Sequence, residues 1–446
     1  MLGTILPTRT LTLTNSGKST VTLSLGVTRR DAGSRASITL SSTSVTLGPG
    51  ASTGVTARMT GSIPSAGIYE GAVTIAGGAV NLRVPYLYIV SDGTPFDAFA
   101  LNGFGFDGLP TETVELDAKV VDKFGAPVPN VPVRFYSTFG GGHVVNGQVS
   151  ATTDNLGIAF ANVVLGTQIG AQEFAVDINN PPQFTIVFDG SVRVPLVVSN
   201  NGVVDAASVR VGQGLAPGSY VSIFGSGLSD VTRSYQTAYL PVSLGGVSVS
   251  FDVPSKNISV PGHLSFVSPN QVNVQVPWEL QGQTSAFMKV SIGNFSSLTC
   301  DANGANCKTY TVPINDYSPS LFEYTEGSTG RVLAAALDLN YVLAGTNHPI
   351  PRGSFVQLYV NGLGPVNNQP ASGERSPSQP LATTKVTPIV MIGGQSVTAD
   401  FSGLVAPYVG LYQVNVKVPT NIGAGIQPLV IIQNGVMSKT SMLPVQ

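Results

Sequence analysis

Apolar residues alternate with polar or small ones along most of this chain, and a period of two belongs to strands. Val21, Leu23, Leu25 and Val27 form one such run. Val114, Leu116, Ala118 and Val120 alternate with Glu115, Asp117 and Lys119, and Val272, Val274 and Val276 alternate with Asn273 and Gln275. Each run predicts one face toward a core and the other toward water, as in a sheet packed on a second sheet. Gly48-Pro49-Gly50, Gly77-Gly78, Gly245-Gly246 and Gly393-Gly394 supply the turns between runs. Only 10% of residues are charged, against about a quarter in an average soluble protein, so long helices lack their usual formers. The best helical window, Val332 to Leu339, has no cap and soon meets Gly345, and reads as part of a hairpin.

The chain is 446 residues long with a formal charge of −2. Its one basic cluster, Arg29-Arg30 with Arg35 nearby, is too thin to track phosphates, so nucleic acid is not an expected partner. No apolar run approaches the roughly 18 residues of a membrane helix. Met1 to Pro7 lacks the basic flank and apolar stretch of a signal peptide. An export signal is therefore expected upstream of this sequence. Cys300 and Cys307 bracket Asp-Ala-Asn-Gly-Ala-Asn and read as a disulfide across a hairpin tip, which places the chain in an oxidising compartment.

The second half repeats itself. Gln271-Val-Asn-Val-Gln-Val-Pro277 recurs as Gln413-Val-Asn-Val-Lys-Val-Pro419. Gly218-Ser-Tyr-Val-Ser-Ile-Phe-Gly-Ser-Gly-Leu228 recurs as Gly353-Ser-Phe-Val-Gln-Leu-Tyr-Val-Asn-Gly-Leu363. Val242 to Phe251, with its Gly-Gly turn, is matched to Pro388 to Phe401. Landmarks in one order predict a duplicated domain, with Val272, Val274 and Val276 equivalent to Val414, Val416 and Val418.

Three resemblances follow from particular stretches. Val120-Val-Asp-Lys-Phe-Gly-Ala-Pro-Val-Pro-Asn-Val-Pro-Val-Arg-Phe135 and Thr152-Thr-Asp-Asn-Leu-Gly-Ile-Ala159 make residues 112–190 resemble the bacterial immunoglobulin-like domain of invasins and intimins. The two repeat landmarks, with Ser268-Pro-Asn-Gln271 and Trp278, make residues 196–446 similar to the Solibacter-type uncharacterised C-terminal domain. The cysteine loop departs from that pattern. Thr10-Leu-Thr-Leu-Thr-Asn-Ser-Gly17, Leu47-Gly-Pro-Gly-Ala-Ser52 and Ile68-Tyr-Glu-Gly-Ala-Val-Thr-Ile75 make residues 8–90 resemble the fibronectin-type sandwich that follows some subtilase protease domains. The resemblances imply an all-β chain of four tandem Ig-like or fibronectin-like sandwiches. Their expected bounds are 1–92, 93–195 (with an N-terminal linker), 196–315 and 316–446.

Catalytic patterns are present only in outline. Gly50-Ala-Ser52-Thr-Gly54 fits G-x-S-x-G, but the motif sits in a turn that leads into a strand, not a helix. Gly103-Phe-Gly-Phe-Asp-Gly108 fits G-x-G-x-x-G, but Leu109-Pro110 follows where a helix should open, so it reads as an interdomain linker. His143, His263 and His348 fall in three expected domains and read as solvated loop histidines without a nucleophile or an orienting partner. Asp301, Asn303 and Asn306 offer a single carboxylate, weak for calcium. Trp278, Tyr317, Phe322 and Tyr324 could make a sugar-stacking platform, although Trp278, directly after a repeated Val-Pro, reads better as interdomain packing.

No catalytic residue, metal or cofactor is assigned. The expected function is a non-enzymatic structural and adhesive module outside the cell, binding an unidentified protein or glycan. One alternative is the C-terminal part of a secreted subtilisin-like protease whose catalytic domain lies upstream of Met1. The other is a carbohydrate-binding module.

Overall fold

The computed structural model describes residues 8–30, 36–78, 80–210, 214–297 and 310–446. The described chain is all-β, with three short 3-10 turns and no α-helix. It divides into two compact units, Met1–Val194 and Pro195–Gln446. Cys300 and Cys307, and the weighed calcium ligands Asp301, Asn303 and Asn306, lie outside the described residues.

The first unit holds two sandwiches. In the first, Thr8–Thr14, Ser52–Gly61 and Ala36–Leu40 face a sheet of Ser44–Leu47, Val21–Arg29, Gly67–Gly77 and Val80–Val90. Its buried core is small: Leu13, Leu23, Leu25, Leu47, Val55, Val73 and Ile75. In the second, Thr113–Val121 pairs with Ile158–Val164 and with Asp97–Phe99. The facing sheet runs Ser150–Thr152, Pro132–Phe139, Gly170–Ile178, Phe184–Val192 and Gly105–Gly108. Phe135, Phe174, Val163 and Ile178 fill the space between these sheets.

Two expectations change here. Gly103–Gly108 is no linker, because Gly105–Gly108 is an edge strand parallel to the end of Phe184–Val192. Gly190 lets it close, since a Cβ there would sit 2.3 Å from the Phe106 carbonyl oxygen. Asp117, on the polar side of its alternating run, is buried and accepts bonds from the Leu101 amide (2.6 Å) and the Asn102 side chain (2.5 Å). Alternation reports which face turns from the core. It does not report what later covers that face.

In the second unit the repeats pair in one register. Val221 lies opposite Val274 and Ile223 opposite Val272, while Val356 lies opposite Val416 and Leu358 opposite Val414. All eight are buried. The strand ahead of this pair also corresponds. Val197–Asp205 follows Tyr220–Ser226 with a bulge between Val198 and Val203. In the second repeat Ser320–Leu321 and Ala336–Leu337 occupy the same places on Phe355–Asn361, and the residues between them carry a hairpin, Glu323–Thr325 with Val332–Ala334. The window Val332 to Leu339 is thus extended, not helical.

The Gly-Gly correspondence fails. Val247–Val253, which follows Gly245-Gly246, pairs with Ser285–Ile292, whereas Ile389–Ile392, which precedes Gly393-Gly394, pairs with Gly425–Gln433. By topology Val249 and Phe251 answer Val390 and Ile392. Gly-Gly closes any tight hairpin, so its recurrence carries no register.

Candidate functional site

Each weighed catalytic residue has an ordinary structural place. Ser52 opens a strand opposite Thr14, and their hydroxyls are 2.8 Å apart at the surface. His143 is exposed on a two-residue edge strand. His263 departs from expectation: it starts a strand, is half-buried, and packs against Gly373 of the next repeat, where a Cβ would lie 2.2 Å from the ring. Burial holds its imidazole below the ordinary value, while Glu279 acts the other way.

His348 also departs, because it has an orienting partner: its Nε2 lies 3.0 Å from Asp338. That carboxylate is already engaged, with one oxygen accepting the Asn340 and Val342 amides at 2.8 Å each. The Val342 bond leads in holding the Asp338 carboxyl below its usual range, and His348 adds to it. The pair clasps a turn. Ten residues of separation and no motif hid it from the sequence.

The four aromatics weighed as a platform part company. Trp278 is 4% exposed and joins the core of the second repeat. Gly218 makes room for it, since a Cβ there would sit 2.0 Å from the ring. Tyr324 donates its hydroxyl to the Ala344 carbonyl. Tyr317 packs on Gly364, and Phe322 is half-buried beside Tyr359, whose carbonyl its amide bonds at 3.0 Å.

Trp278 anchors a polar seam between the repeats. The Trp278 amide donates to the Ser372 hydroxyl (2.9 Å), which donates to Glu279 (2.7 Å). Gln275 accepts the Gly373 amide (2.7 Å) and donates to the Gly218 carbonyl (3.2 Å), so this residue of the polar face is sealed rather than solvated. Asn361, fully buried, accepts from the Tyr220 amide (3.0 Å) and donates to the Tyr220 carbonyl and Asp205 (2.8 Å each). Ser320 donates to the same aspartate at 2.5 Å. Buried polar groups satisfied across two domains fix one relative placement.

Tyrosines gather at two surfaces. On the N-terminal sandwich, Tyr69 stacks on Tyr88 at 5.0 Å and Tyr88 on Tyr86 at 6.5 Å between centroids, with rings within 13° of parallel. Tyr86 and Tyr88 border a cleft of about 450 Å³ with Leu11, Ile38, Met59 and Val84. On the second C-terminal repeat, Tyr359 stands on the sheet face opposite buried Leu358 and Val360. Burial raises its phenol, and the Tyr408 and Tyr341 phenols push it the same way. Tyr341 is 72% and Tyr408 55% exposed. Gln413 lies opposite Tyr359 and Asn415 opposite Gln357, and the Gln413 amide donates to Asn415 at 2.7 Å.

Among the described residues no helix is long and apolar enough to cross a membrane, and no group of three acidic, histidine or cysteine side chains is placed to hold a metal. No family model matches the chain, and no curated protein matches it. Solved structures match in part. The C-terminal 282-residue fragment of intimin, in complex with the intimin-binding domain of its translocated receptor, is 12% identical over 51% of this chain and 66% of its own, with a TM-score of 0.30. Invasin, a bacterial integrin-binding protein, is 10% identical over 97% of this chain and 72% of its own, at 0.20. The Bacteroides ovatus glucan-locus protein SGBP-B, in complex with a mixed-linkage heptasaccharide, is 10% identical over 79% of this chain and 71% of its own, at 0.24. The chain thus spans just under two thirds of the intimin fragment. Its assignment as an all-β array of sandwiches rests on the strand pairings above.

Proposed function

We propose that this chain is a non-catalytic extracellular module, a spacer and adhesive surface within a larger secreted or cell-surface bacterial protein. Four separate cores support sandwiches at 1–92, 93–195, 196–315 and 316–446. The observation that carries the reading is the contrast between the sealed seam and the open tyrosine surfaces. The repeats hold each other by buried hydrogen bonds, while tyrosines stand on sheet and loop surfaces. Tyrosine offers broad contact area with little entropy to lose and a polar tip to orient a ligand. A Cys300–Cys307 disulfide belongs to this reading, as an oxidising exterior would permit.

The test is a binding screen of the purified chain over immobilised neutral and acidic polysaccharides and host-matrix proteins, run beside a serine-directed fluorophosphonate probe. Saturable binding without labelling is expected. Labelling at Ser52, or turnover of any substrate in the screen, would overturn it.

A further inference from the structure

The N-terminal sandwich is packed at one end and open along one edge. Leu13, Val55, Val73 and Ile75 fill the space between its sheets, and beyond them the sheets part. The gap follows the edge strand Val80–Val90. A section of about 450 Å³ is lined by Val84 to Tyr88 on that side and by Thr8 to Leu11 on the other. It shares Met59 and Tyr88 with a smaller section of about 190 Å³ that reaches Val90. Pro85, Tyr86 and Leu87 join it to a third section, which begins at Arg83. Consecutive residues from Arg83 to Val90 at strand spacing make a groove of roughly 26 Å. Gly71 helps keep it clear. A Cβ there would sit 2.2 Å from the Tyr86 hydroxyl, so that ring leans across its own sheet instead of filling the gap.

A groove of this length takes an extended polymer, and its walls select a peptide. Thr8–Thr14 ends its sheet and pairs only with Ser52–Gly61 among the described residues. The Asn15 amide bonds the Ala51 carbonyl, while the Thr56 carbonyl, opposite Thr10, is taken by Ser41 on the far side. By the alternation of an antiparallel pair, Arg9, Leu11 and Leu13 turn their backbone groups to Ser52–Gly61. Thr8, Thr10, Thr12 and Thr14 turn theirs to the open edge, a template for one more strand. The facing strand is a poorer template, because Pro85 has no amide hydrogen. A sugar would need open ring faces, and Tyr69, Tyr86 and Tyr88 already stack on one another.

Charge narrows the partner. Arg9, Arg30 and Arg83 line the groove with one acid, Glu70, which Arg30 holds at 2.8 Å. Arg9 and Arg83 have no carboxylate partner among the described residues. A second copy of Thr8–Thr14 would bring another Arg9 to this rim, whereas an acidic strand would neutralise it.

We propose that this open edge binds an extended, acidic peptide segment of another protein, which adds to Thr8–Thr14 as a strand and sends alternate apolar side chains into the groove. The inference rests on the adhesive-module reading and names the partner of one face.

The full chain is titrated into a fluorescein-labelled peptide in which valine alternates with aspartate and threonine, followed by fluorescence anisotropy. Saturable binding that weakens in high salt is expected, with a lysine-for-aspartate peptide bound far less. Thr10→Pro removes one outward amide and spares the pairing with Ser52–Gly61, so it should weaken binding roughly tenfold, about 1.4 kcal/mol, with the far-UV spectrum unchanged. Ala57→Phe, which puts a ring into the gap, should weaken it similarly and decides the matter if the proline variant fails to fold. Binding that survives in the folded variants overturns the site. Equal binding of the lysine peptide overturns the charge argument and the partner with it. Capture of polygalacturonate that Ala57→Phe abolishes and Thr10→Pro spares assigns the groove to a glycan, and a dimer that Thr10→Pro dissolves assigns it to a second copy. Either result overturns the proposal. A peptide that never binds overturns it too, and the adhesive reading then rests on the wider screen alone.

Discussion

The two C-terminal repeats share a core register and part company directly after the shared Val-Pro. The first continues with Trp278, buried against Gly218 and the second repeat's core; the second continues with Thr420, exposed, its methyl 3.3 Å from where a Gly353 Cβ would stand. The same turn thus serves an inward seam in one copy and an open surface in the other. Duplication supplies the scaffold, and the side chain after the strand end is buried in one copy and exposed in the other. A second divergence points the same way. The bulge after Val198 in the first repeat is, in the second, the hairpin leading toward the Asp338 turn and Tyr341.

The largest effect should come from breaking the seam. Trp278→Ala should cost about 3–5 kcal/mol and split a single unfolding transition of residues 195–446 into two, followed by circular dichroism in urea. Trp278→Phe should be much milder, because the indole Nε1 is buried without a partner and its loss leaves no acceptor wanting. One unchanged transition in the alanine variant would show that the repeats do not depend on this contact. Next comes Asn361→Ala, which leaves the Tyr220 amide and one Asp205 oxygen unpaired, while the Tyr220 carbonyl keeps only the Ala206 amide at 3.2 Å. A loss of about 3 kcal/mol is expected, read by the fluorescence of Trp278, the chain's single tryptophan.

Smaller and more diagnostic is a matched pair. Val274→Ala and Val416→Ala remove the same two carbons from equivalent places, at about 2 kcal/mol each. Values differing by more than about 1 kcal/mol would mean that the two cores are not equivalent in packing. The smallest effect concerns pH. His263 is held below the ordinary value of 6.5 chiefly by burial, so the folded chain binds fewer protons there than the unfolded one. Its stabilising contribution is present above 6.5 and fades as pH falls through the window below it. The stability of residues 195–446 should show a downward step there that His263→Phe removes, with thermal melts at pH 7.5 and 5 as the check.

Much of this was legible in the sequence. Alternation named the core face of Val272, Val274 and Val276, and two landmarks with different offsets foretold equivalent strands, because burial of one face fixes register. Where reading failed, the cause was tertiary. Gly103-Phe-Gly-Phe-Asp-Gly108 is too glycine-rich to look like a strand, yet it pairs because Gly190 lets its backbone close. Asp117 and Gln275 sit on polar faces that distant chain covers. His263 and His348 gained neighbours that no spacing announces.

The parallel strand Gly105–Gly108 has a mechanical consequence. It lies near the start of its sandwich and runs alongside Asp189 to Val192 at the end, four residues on each side. A pull on the two ends first peels the three-residue strand Asp97–Phe99. The load then reaches two strands that point the same way, so they must slide past each other rather than unzip. Their hydrogen bonds bear the force together, and the core beneath stays shut until all of them yield. A domain closed in this manner is loaded in shear, so its resistance to tension is set by those four residue pairs acting together.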